Sequence, residues 1–329
     1  MIVKLDNETQ FDFMKRIVYE KLVDRTLDCS YEELSEPLFG DGNCFNESEV
    51  RKRCYGILAM IRAMDESPNH IKKRILFIAD IHYPFVLDKN ILTKYRGIVD
   101  TLVFGGDLVD FNAISKFKKA TAYDPVREIV EARQYLIDLI EFINPKEIYA
   151  IYGNHDIRFG NFLDKSLGNS LVNLMPTTPL DLVFTDGFYF YDREKHCKSY
   201  FESISTVFPE KNIVYEGSWF CRVGNVIFAH PMAYKSGILA TSDKAYNYFL
   251  NKTRGEDLQA VCMAHTHRSG EYAKSDGRMI YESGCFCDVN ANPYNEGKLV
   301  CEQTQGFIYL CEDEVGDIVK GTTQRVVLN

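Results

Sequence analysis

The chain has 329 residues, of which 46% are hydrophobic and 26% are charged, values ordinary for a soluble globular protein. Its formal net charge of −9 argues against a general polyanion binder, so any contact with nucleic acid must come from a local patch or from bound cations. No apolar run approaches the roughly 20 residues of a membrane helix, and the N-terminus lacks the apolar core of a signal peptide. These features predict a cytoplasmic protein without a membrane partner.

The first structural unit, residues 1–69, is predicted to be a small all-α module. Apolar residues recur at helical spacing from residue 10, and residues 46–65 form its last helical segment. The module could be a helix-turn-helix in which residues 46–65 bind DNA, with phosphate contacts from Arg51, Lys52 and Arg62. Solvated helix charges or a protein-docking face would explain the same side chains, because the module contains more acids than bases.

The second unit, residues 70–329, follows a helix-stopping sequence at Ser67-Pro68. Short apolar runs alternate here with longer helical stretches such as residues 125–143, a pattern typical of an α/β domain. The five runs are RILFIAD, TLVFGGD, EIYAIYGNHD, NVIFAH and QAVCMAHTH. The C-terminal part is predicted to form antiparallel strands, with turns at residues 276–277 and 316–317.

Each of the five apolar runs ends in residue types that bind metals. These residues are Asp80 and His82, Asp107, Asn154 and His155, His230, and His265 and His267. Active sites of open α/β sheets lie just outside the carboxyl ends of the strands, so these side chains can converge. Any one of them could be an ordinary edge or turn residue. However, five of the seven histidines of the chain belong to these clusters, which makes coincidence a poor explanation.

The motifs occur in a characteristic order. They are D-I-H (80–82), G-D (106–107), G-N-H-D (153–156), His230 and H-T-H (265–267). This order resembles that of the calcineurin-like metallophosphoesterase superfamily, although the last motif usually opens with glycine and this chain has Ala264. The flanks DIHYPF, GDLVDFNAISKF and GNHDIR are similar to a branch carried by phages and prophages. The resemblance implies an α/β fold class: a sandwich of two mixed β-sheets flanked by helices.

The resemblance also implies a two-metal centre. Asp80, His82 and His267 would hold the first ion, Asn154, His230 and His265 the second, and Asp107 would bridge both. Such a mixed nitrogen and oxygen set suits divalent transition metals, manganese first, with iron, zinc, nickel or cobalt as alternatives. Two ions of this kind bind a bridging water and lower its pKa, which produces a hydroxide to attack the phosphate ester. His155 would assist the leaving group, with Asp156 orienting its imidazole.

The predicted function is therefore metal-dependent phosphoester hydrolysis, with a phosphodiester of nucleic acid or nucleotide as the substrate. A phosphomonoesterase of the phosphatase kind is the alternative. A non-catalytic metal-binding scaffold is the second alternative, but a scaffold would be expected to have lost ligands and all seven are present. Arg158 and Arg268, each just beyond a motif, could clamp a phosphate through bidentate hydrogen bonds.

Two further features bear on the site. Residues 157–229 are predicted to be an insert that shapes the substrate site; their aromatic side chains could stack bases, although core packing is their commoner use. The ten cysteines are scattered like buried reduced thiols. Cys285 and Cys287 form the one close pair. A structural zinc site completed by Cys301 and Cys311 is the weaker alternative, because the spacing does not match that of zinc ligands.

Overall fold

The computed structural model describes two compact units, Met1–His70 and Ile71–Asn329, which we consider separately. The described residues are 2–5, 8–24, 26–40, 45–65, 71–115, 123–167, 170–232, 235, 237, 239–253, 257–291, 303–319 and 321–328, without the side chains of 59, 62–65 and 172. In this part of the chain, no helix is long and apolar enough to cross a membrane.

The N-terminal unit is built from helices, as predicted. They are α1 (Gln10–Leu22), the short α2 (Ser35–Phe39) and α3 (Glu47–Asp65). Helix α1 begins at a capping box in which Thr9 and Asp12 satisfy each other's backbone N–H groups. Its buried side chains, Phe13 and Ile17 among them, pack with Val50 and Cys54 of α3 in one apolar cluster.

The second unit contains the remaining elements, in mixed α and β order. Its helices are α4 (Pro125–Ile143), α5 (Arg158–Ser166), α6 (Pro179–Asp181), α7 (Ile204–Val207) and α8 (Ala240–Lys252). Its strands are β1 (Lys73–Ile78), β2 (Thr101–Gly105), β3 (Glu147–Ile151), β4 (Phe188–Asp192), β5 (Cys197–Phe201), β6 (Asn212–Tyr215), β7 (Phe220–Val223), β8 (Val226–Ala229), β9 (Ala260–Met263), β10 (Ser269–Ala273), β11 (Met279–Ser283), β12 (Gly306–Glu312) and β13 (Gln324–Val327). The predicted helix over residues 125–143 is α4.

The strands form two larger sheets. The six-stranded sheet has the order β13-β12-β1-β2-β3-β6, and its strands β1, β2, β3 and β6 run parallel. The five-stranded sheet has the order β10-β11-β9-β8-β7, with β8, β9 and β11 parallel. Both sheets are mixed and flanked by helices, which is the predicted fold class.

Three apolar layers stabilise this arrangement. Side chains from both sheets, such as Phe77 and Phe228, fill the space between them. The other face of the six-stranded sheet packs against α4 through residues such as Leu136 and Ile140. The other face of the five-stranded sheet packs against α8, with Phe249 at the centre of that cluster. Because each sheet is covered on both faces, its central strands, such as β2, β8 and β9, are almost entirely apolar.

Residues 157–229 are not a separate insert throughout. Strand β6 extends the six-stranded sheet beside β3, and β7 and β8 belong to the five-stranded sheet. The aromatic residues of this segment divide accordingly. Trp219 and Phe220 pack against the α8 layer, as core packing predicts, whereas Tyr189, Tyr191 and Tyr200 on the β4–β5 hairpin are exposed.

The sequence predicted that the C-terminal strands are antiparallel, but not all of them are. The turn at residues 276–277 connects β10 and β11, which are antiparallel as predicted, and β12 is antiparallel to both β1 and β13. Strand β11, however, also pairs in parallel with β9. Local alternation of apolar residues shows that a strand exists but does not encode the direction of its neighbours.

Candidate metal centre

The candidate ligands lie directly after the ends of β1, β2, β3, β8 and β9. In five of them, Asp80, His82, Asp107, His265 and His267, the backbone is left-handed, with φ between 48° and 78°. This conformation costs of order 1–3 kcal/mol at a residue with a side chain and persists only where the surrounding structure fixes it. These five residues lie at the ends of strands from both sheets, at one edge of the sandwich.

Two glycines allow these strand ends to come together. A Cβ at Gly153 would lie 2.2 Å from Oδ1 of Asp107, and one at Gly106 would lie 2.7 Å from the backbone nitrogen of Gly153. Gly106 also has a φ of 83°. The glycines of the G-D and G-N-H-D motifs are therefore explained by the close approach of the two loops to each other.

The first ligand group consists of Asp80, His82 and His267. Their candidate ligand atoms lie within 4.8 Å of one another. The Nε2 atoms of the two histidines are 3.0 Å apart, and Nε2 of His267 is 3.3 Å from Oδ1 of Asp80. The other oxygen of Asp80 accepts a hydrogen bond from the backbone N–H of His265.

The second group consists of Asp107, His230 and His265, whose ligand atoms meet the same 4.8 Å limit. Nε2 of His230 lies 3.4 Å from Oδ2 of Asp107 and 3.2 Å from Oδ1 of Asn154. Nδ1 of His230 lies 2.8 Å from the carbonyl oxygen of Gly105, so a proton on Nδ1 would be donated there and Nε2 would be left for a ligand.

Asp107 lies between the two groups. Its Oδ2 is 3.8 Å from Nε2 of His82 in the first group and 3.4 Å from Nε2 of His230 in the second. Its Oδ1 accepts a hydrogen bond from the backbone N–H of His155. This carboxylate is therefore the connection between the two groups.

Neighbouring imidazoles balance the buried carboxylates of the site. Burial opposes the ionisation of Asp80 and Asp107, but neighbouring imidazoles outweigh it and hold the pKa of both carboxyls below the ordinary value. Burial likewise disfavours the imidazolium of His230, yet Asp107 raises its pKa to about 9. Burial lowers the pKa of His82 and His265 to about 4, so these two imidazoles are neutral and suited to bind a metal.

The donor set fits divalent cations. Oδ1 of Asp80 is buried and has no hydrogen-bond partner within the described residues, although a buried carboxylate oxygen normally has one. Nε2 of His82 and Nε2 of His267 are close enough to share one proton, and a cation between them would take the place of that proton. Carboxylate, imidazole and amide groups together suit transition metals.

His155 lies beside the first group and has a partner that the sequence analysis missed. Nδ1 of His155 is 3.2 Å from Oδ1 of Asp110 and 2.9 Å from the Asp110 carbonyl oxygen. The same carboxylate oxygen is 3.4 Å from Nδ1 of His82. Asp110 is buried, and the two imidazoles keep the pKa of its carboxyl below the ordinary value despite burial. A second acid in the G-D-L-V-D segment was the only sequence signal for it.

Asp156 has a different place from the one expected. Its carboxylate accepts hydrogen bonds from the backbone N–H groups of Gly153, Asp107, Leu108 and Val109. These bonds join the loops after β2 and β3. Burial and the charge of Asp107 raise the pKa of Asp156 to about 7, against the effect of these N–H groups. Asp110 thus holds the His155 ring, and Asp156 holds the loop backbone that carries Asp107.

The candidate substrate-binding arginines are in different surroundings. The guanidinium of Arg158 lies 2.8 Å from Nε2 of His155 and donates to the Asp110 carbonyl, so it borders the site. Arg268 is buried and donates to the Gly237 carbonyl.

The candidate nucleic-acid contacts lie on α3 of the N-terminal unit. Arg51 and Lys52 are exposed there, and the Arg51 guanidinium lies 6.0 Å from the ring centres of Tyr31 and Tyr55. The side chain of Arg62 lies outside the described residues.

The comparison with known families agrees with this geometry. Residues 73–269, more than half of the chain, match the family described as calcineurin-like phosphoesterase. The chain therefore belongs to this family. The matched residues include all seven candidate ligands as well as Asp110 and His155. A search among curated proteins gave no match.

Several solved structures match most of the chain at low sequence identity. The Thermotoga maritima protein TM1076 is 16% identical, with 78% of this chain and 99% of that chain covered and a TM-score of 0.32. Vps29 of Entamoeba histolytica, in complex with zinc, is 12% identical with the same coverage and a TM-score of 0.36. A structure titled as a novel archaeal phosphodiesterase is 16% identical, again with the same coverage, at a TM-score of 0.34.

Proposed function

We propose that this protein is a dinuclear metal-dependent phosphoesterase that hydrolyses a phosphodiester of nucleic acid or of a nucleotide. The observation that carries the proposal is the pair of adjoining ligand groups with Asp107 between them, 3.8 Å from His82 and 3.4 Å from His230. One carboxylate with two oxygens can serve both groups and offset the repulsion between two cations. The family of the chain supports phosphoester hydrolysis in general.

In this proposal the seven candidate ligands hold two divalent ions. Asp80, His82 and His267 hold the first, Asn154, His230 and His265 the second, and Asp107 both. Manganese is the first choice, and iron, zinc, nickel and cobalt are alternatives that suit the same ligands. Two bound ions would neutralise phosphate oxygens and supply an ionised water near neutral pH.

The side chains around His155 provide the proton chemistry. Because Asp110 lies at Nδ1 of His155, the imidazole is held in one orientation with Nε2 directed towards Asp107, 3.9 Å away. In the structure the Arg158 guanidinium donates to this Nε2, so the nitrogen is an acceptor. Once the guanidinium turns to a phosphate oxygen, a His155 imidazolium would donate its Nε2 proton to the oxygen that leaves phosphorus. The Arg158 guanidinium, next to the same Nε2, supplies positive charge for a phosphate oxygen.

The choice of a diester substrate rests on the rest of the chain. The N-terminal unit exposes Arg51 and Lys52 on α3, and the sequence around the motifs is similar to a branch carried by phages. Both features favour nucleic acid or nucleotides. A phosphomonoesterase is the second candidate, because the same two-ion geometry would bind a terminal phosphate. The scaffold alternative is disfavoured, since no candidate ligand is missing from the two groups.

A comparison of two chromogenic esters tests the proposal. We expect kcat/KM to be higher for bis-p-nitrophenyl phosphate than for p-nitrophenyl phosphate, with the same metal in both assays. The full chain should also bind DNA with an affinity that falls as salt rises, because phosphate contacts release counterions. A strong preference for the monoester without DNA binding would favour the phosphatase, and no hydrolysis with any of the five metals would favour the scaffold.

A further inference from the structure

A pair of thiols lies beside the first ligand group, in the segment that follows β11. Phe286 is buried in the apolar layer under the six-stranded sheet, with its ring 6.1 Å from that of Phe307. Cys285 and Cys287 flank Phe286 and form isolated β-bridges with Gln305 and Val86. Both cysteines are fully buried.

The two thiols meet an imidazole of the candidate metal centre. The candidate ligand atoms of His267, Cys285 and Cys287 all lie within 4.8 Å of one another. Gly284, with a φ of 76°, lets the chain just before the pair approach residue 304, because a Cβ there would lie 2.6 Å from the Thr304 carbonyl oxygen. Two sulfurs and one imidazole nitrogen form a donor set that prefers zinc-like ions to manganese.

Of the two cysteine partners considered from the sequence, the structure describes only Cys311. Cys311 lies on β12 and is buried in the apolar layer against α4, and Cys301 lies outside the described residues. The partner of the pair is instead His267, 18 residues before Cys285 in the chain.

We propose that Cys285, Cys287 and His267 form a binding site for a thiophilic divalent cation of the zinc class. Binding forms two metal–sulfur bonds and releases the two thiol protons to solvent, with no change of oxidation state. The site adjoins the centre of the proposed function and shares His267 with it. A thiophilic ion held here removes His267 from Asp80 and His82, so it competes with an ion in the first ligand group. This competition, unlike the site itself, rests on the proposed function.

Cobalt provides a direct spectroscopic test, because thiolate ligands give Co²⁺ an intense near-ultraviolet charge-transfer band that nitrogen and oxygen ligands do not. The full-length, metal-free protein is titrated with Co²⁺ under a phosphine reductant. We expect the thiolate band in the wild type, its loss in Cys285→Ala/Cys287→Ala, and a weaker band in each single variant. Cys262→Ala removes a buried thiol between the sheets and is the matched control; its band should equal that of the wild type.

Zinc affinity gives a second readout. Removing outer partners of a metal site alone costs about 10–100-fold in affinity, so removing two direct ligands should weaken Zn²⁺ binding by at least that factor. The inference is overturned if the wild type shows no thiolate band, if the double variant keeps the band, or if its Zn²⁺ affinity is unchanged. Hydrolysis by the Mn²⁺-loaded wild type is measured separately: a thiolate band without hydrolysis would refute the proposed function and leave the cation site standing.

Discussion

The closeness of the loops after β2 and β3 makes Gly153→Ala the most informative single change. The new methyl would lie 2.2 Å from Oδ1 of Asp107 and 2.5 Å from its backbone nitrogen, well inside van der Waals contact. The carboxylate must therefore move, and its hydrogen bond from the backbone N–H of His155 is lost or lengthened. Overpacking of about 1–3 kcal/mol and a lost charge-assisted hydrogen bond of about 1.5–3 kcal/mol add to a destabilisation of roughly 2.5–6 kcal/mol.

The functional effect should exceed the effect on folding. Asp107 connects the two ligand groups, and a displacement of about 1 Å in a catalytic group can cost about 10²-fold in rate. We expect Gly153→Ala to lose about that factor in kcat/KM on bis-p-nitrophenyl phosphate and to bind less metal after reconstitution. Thermal unfolding, metal analysis and steady-state kinetics measure the three effects.

Gly56→Ala is the matched control for this change. Gly56 lies within α3, and a Cβ there has no neighbour within 4 Å among the described residues. Alanine at this position should stabilise the helix by about 1 kcal/mol or less and leave hydrolysis unchanged. If Gly153→Ala unfolds at the wild-type temperature and keeps wild-type activity and metal content, the inference that the two loops lie too close for a side chain at residue 153 is refuted.

Four other changes test the remaining assignments. Asp107→Ala should lower the content of both metals, because it removes the group between them; retention of two ions per chain would refute the bridging role. His155→Ala should keep the metals and lose about 10²–10⁴-fold in rate, least on substrates with good leaving groups, and metal loss as large as in His265→Ala would contradict this. Asp110→Asn should cost about 10–100-fold in activity, mainly in kcat, because the Asp110 carboxylate orients both His155 and His82. A rate equal to wild type would show that the contacts of Asp110 with these two imidazoles do not contribute to catalysis. A chain starting at Asn69 should fold and hydrolyse a small chromogenic diester, and an insoluble product would show that the helices belong to the catalytic unit.

The sequence determined those features that depend on local patterns. Apolar runs predicted β1, β2, β3, β8 and β9, and the helical stretch over residues 125–143 predicted α4 to its observed bounds. The same patterns placed the candidate ligands, because a polar residue after a buried strand must lie at the edge of the sheet. The resemblance to the phosphoesterases rested on these strand ends, and the family was confirmed.

Only the tertiary structure decided which of these residues touch. Asp80 and His267 are separated by 187 positions, yet two of their ligand atoms lie 3.3 Å apart. The roles of Asp110 and Asp156 could not be told apart in sequence, since both are acids close to a motif. The same holds for the pairing of Cys285 and Cys287 with His267. The spacing of apolar residues along the sequence indicates which side of a helix or strand a residue faces. The contacts between these residues depend instead on how the two sheets stack, and no local pattern encodes that stacking.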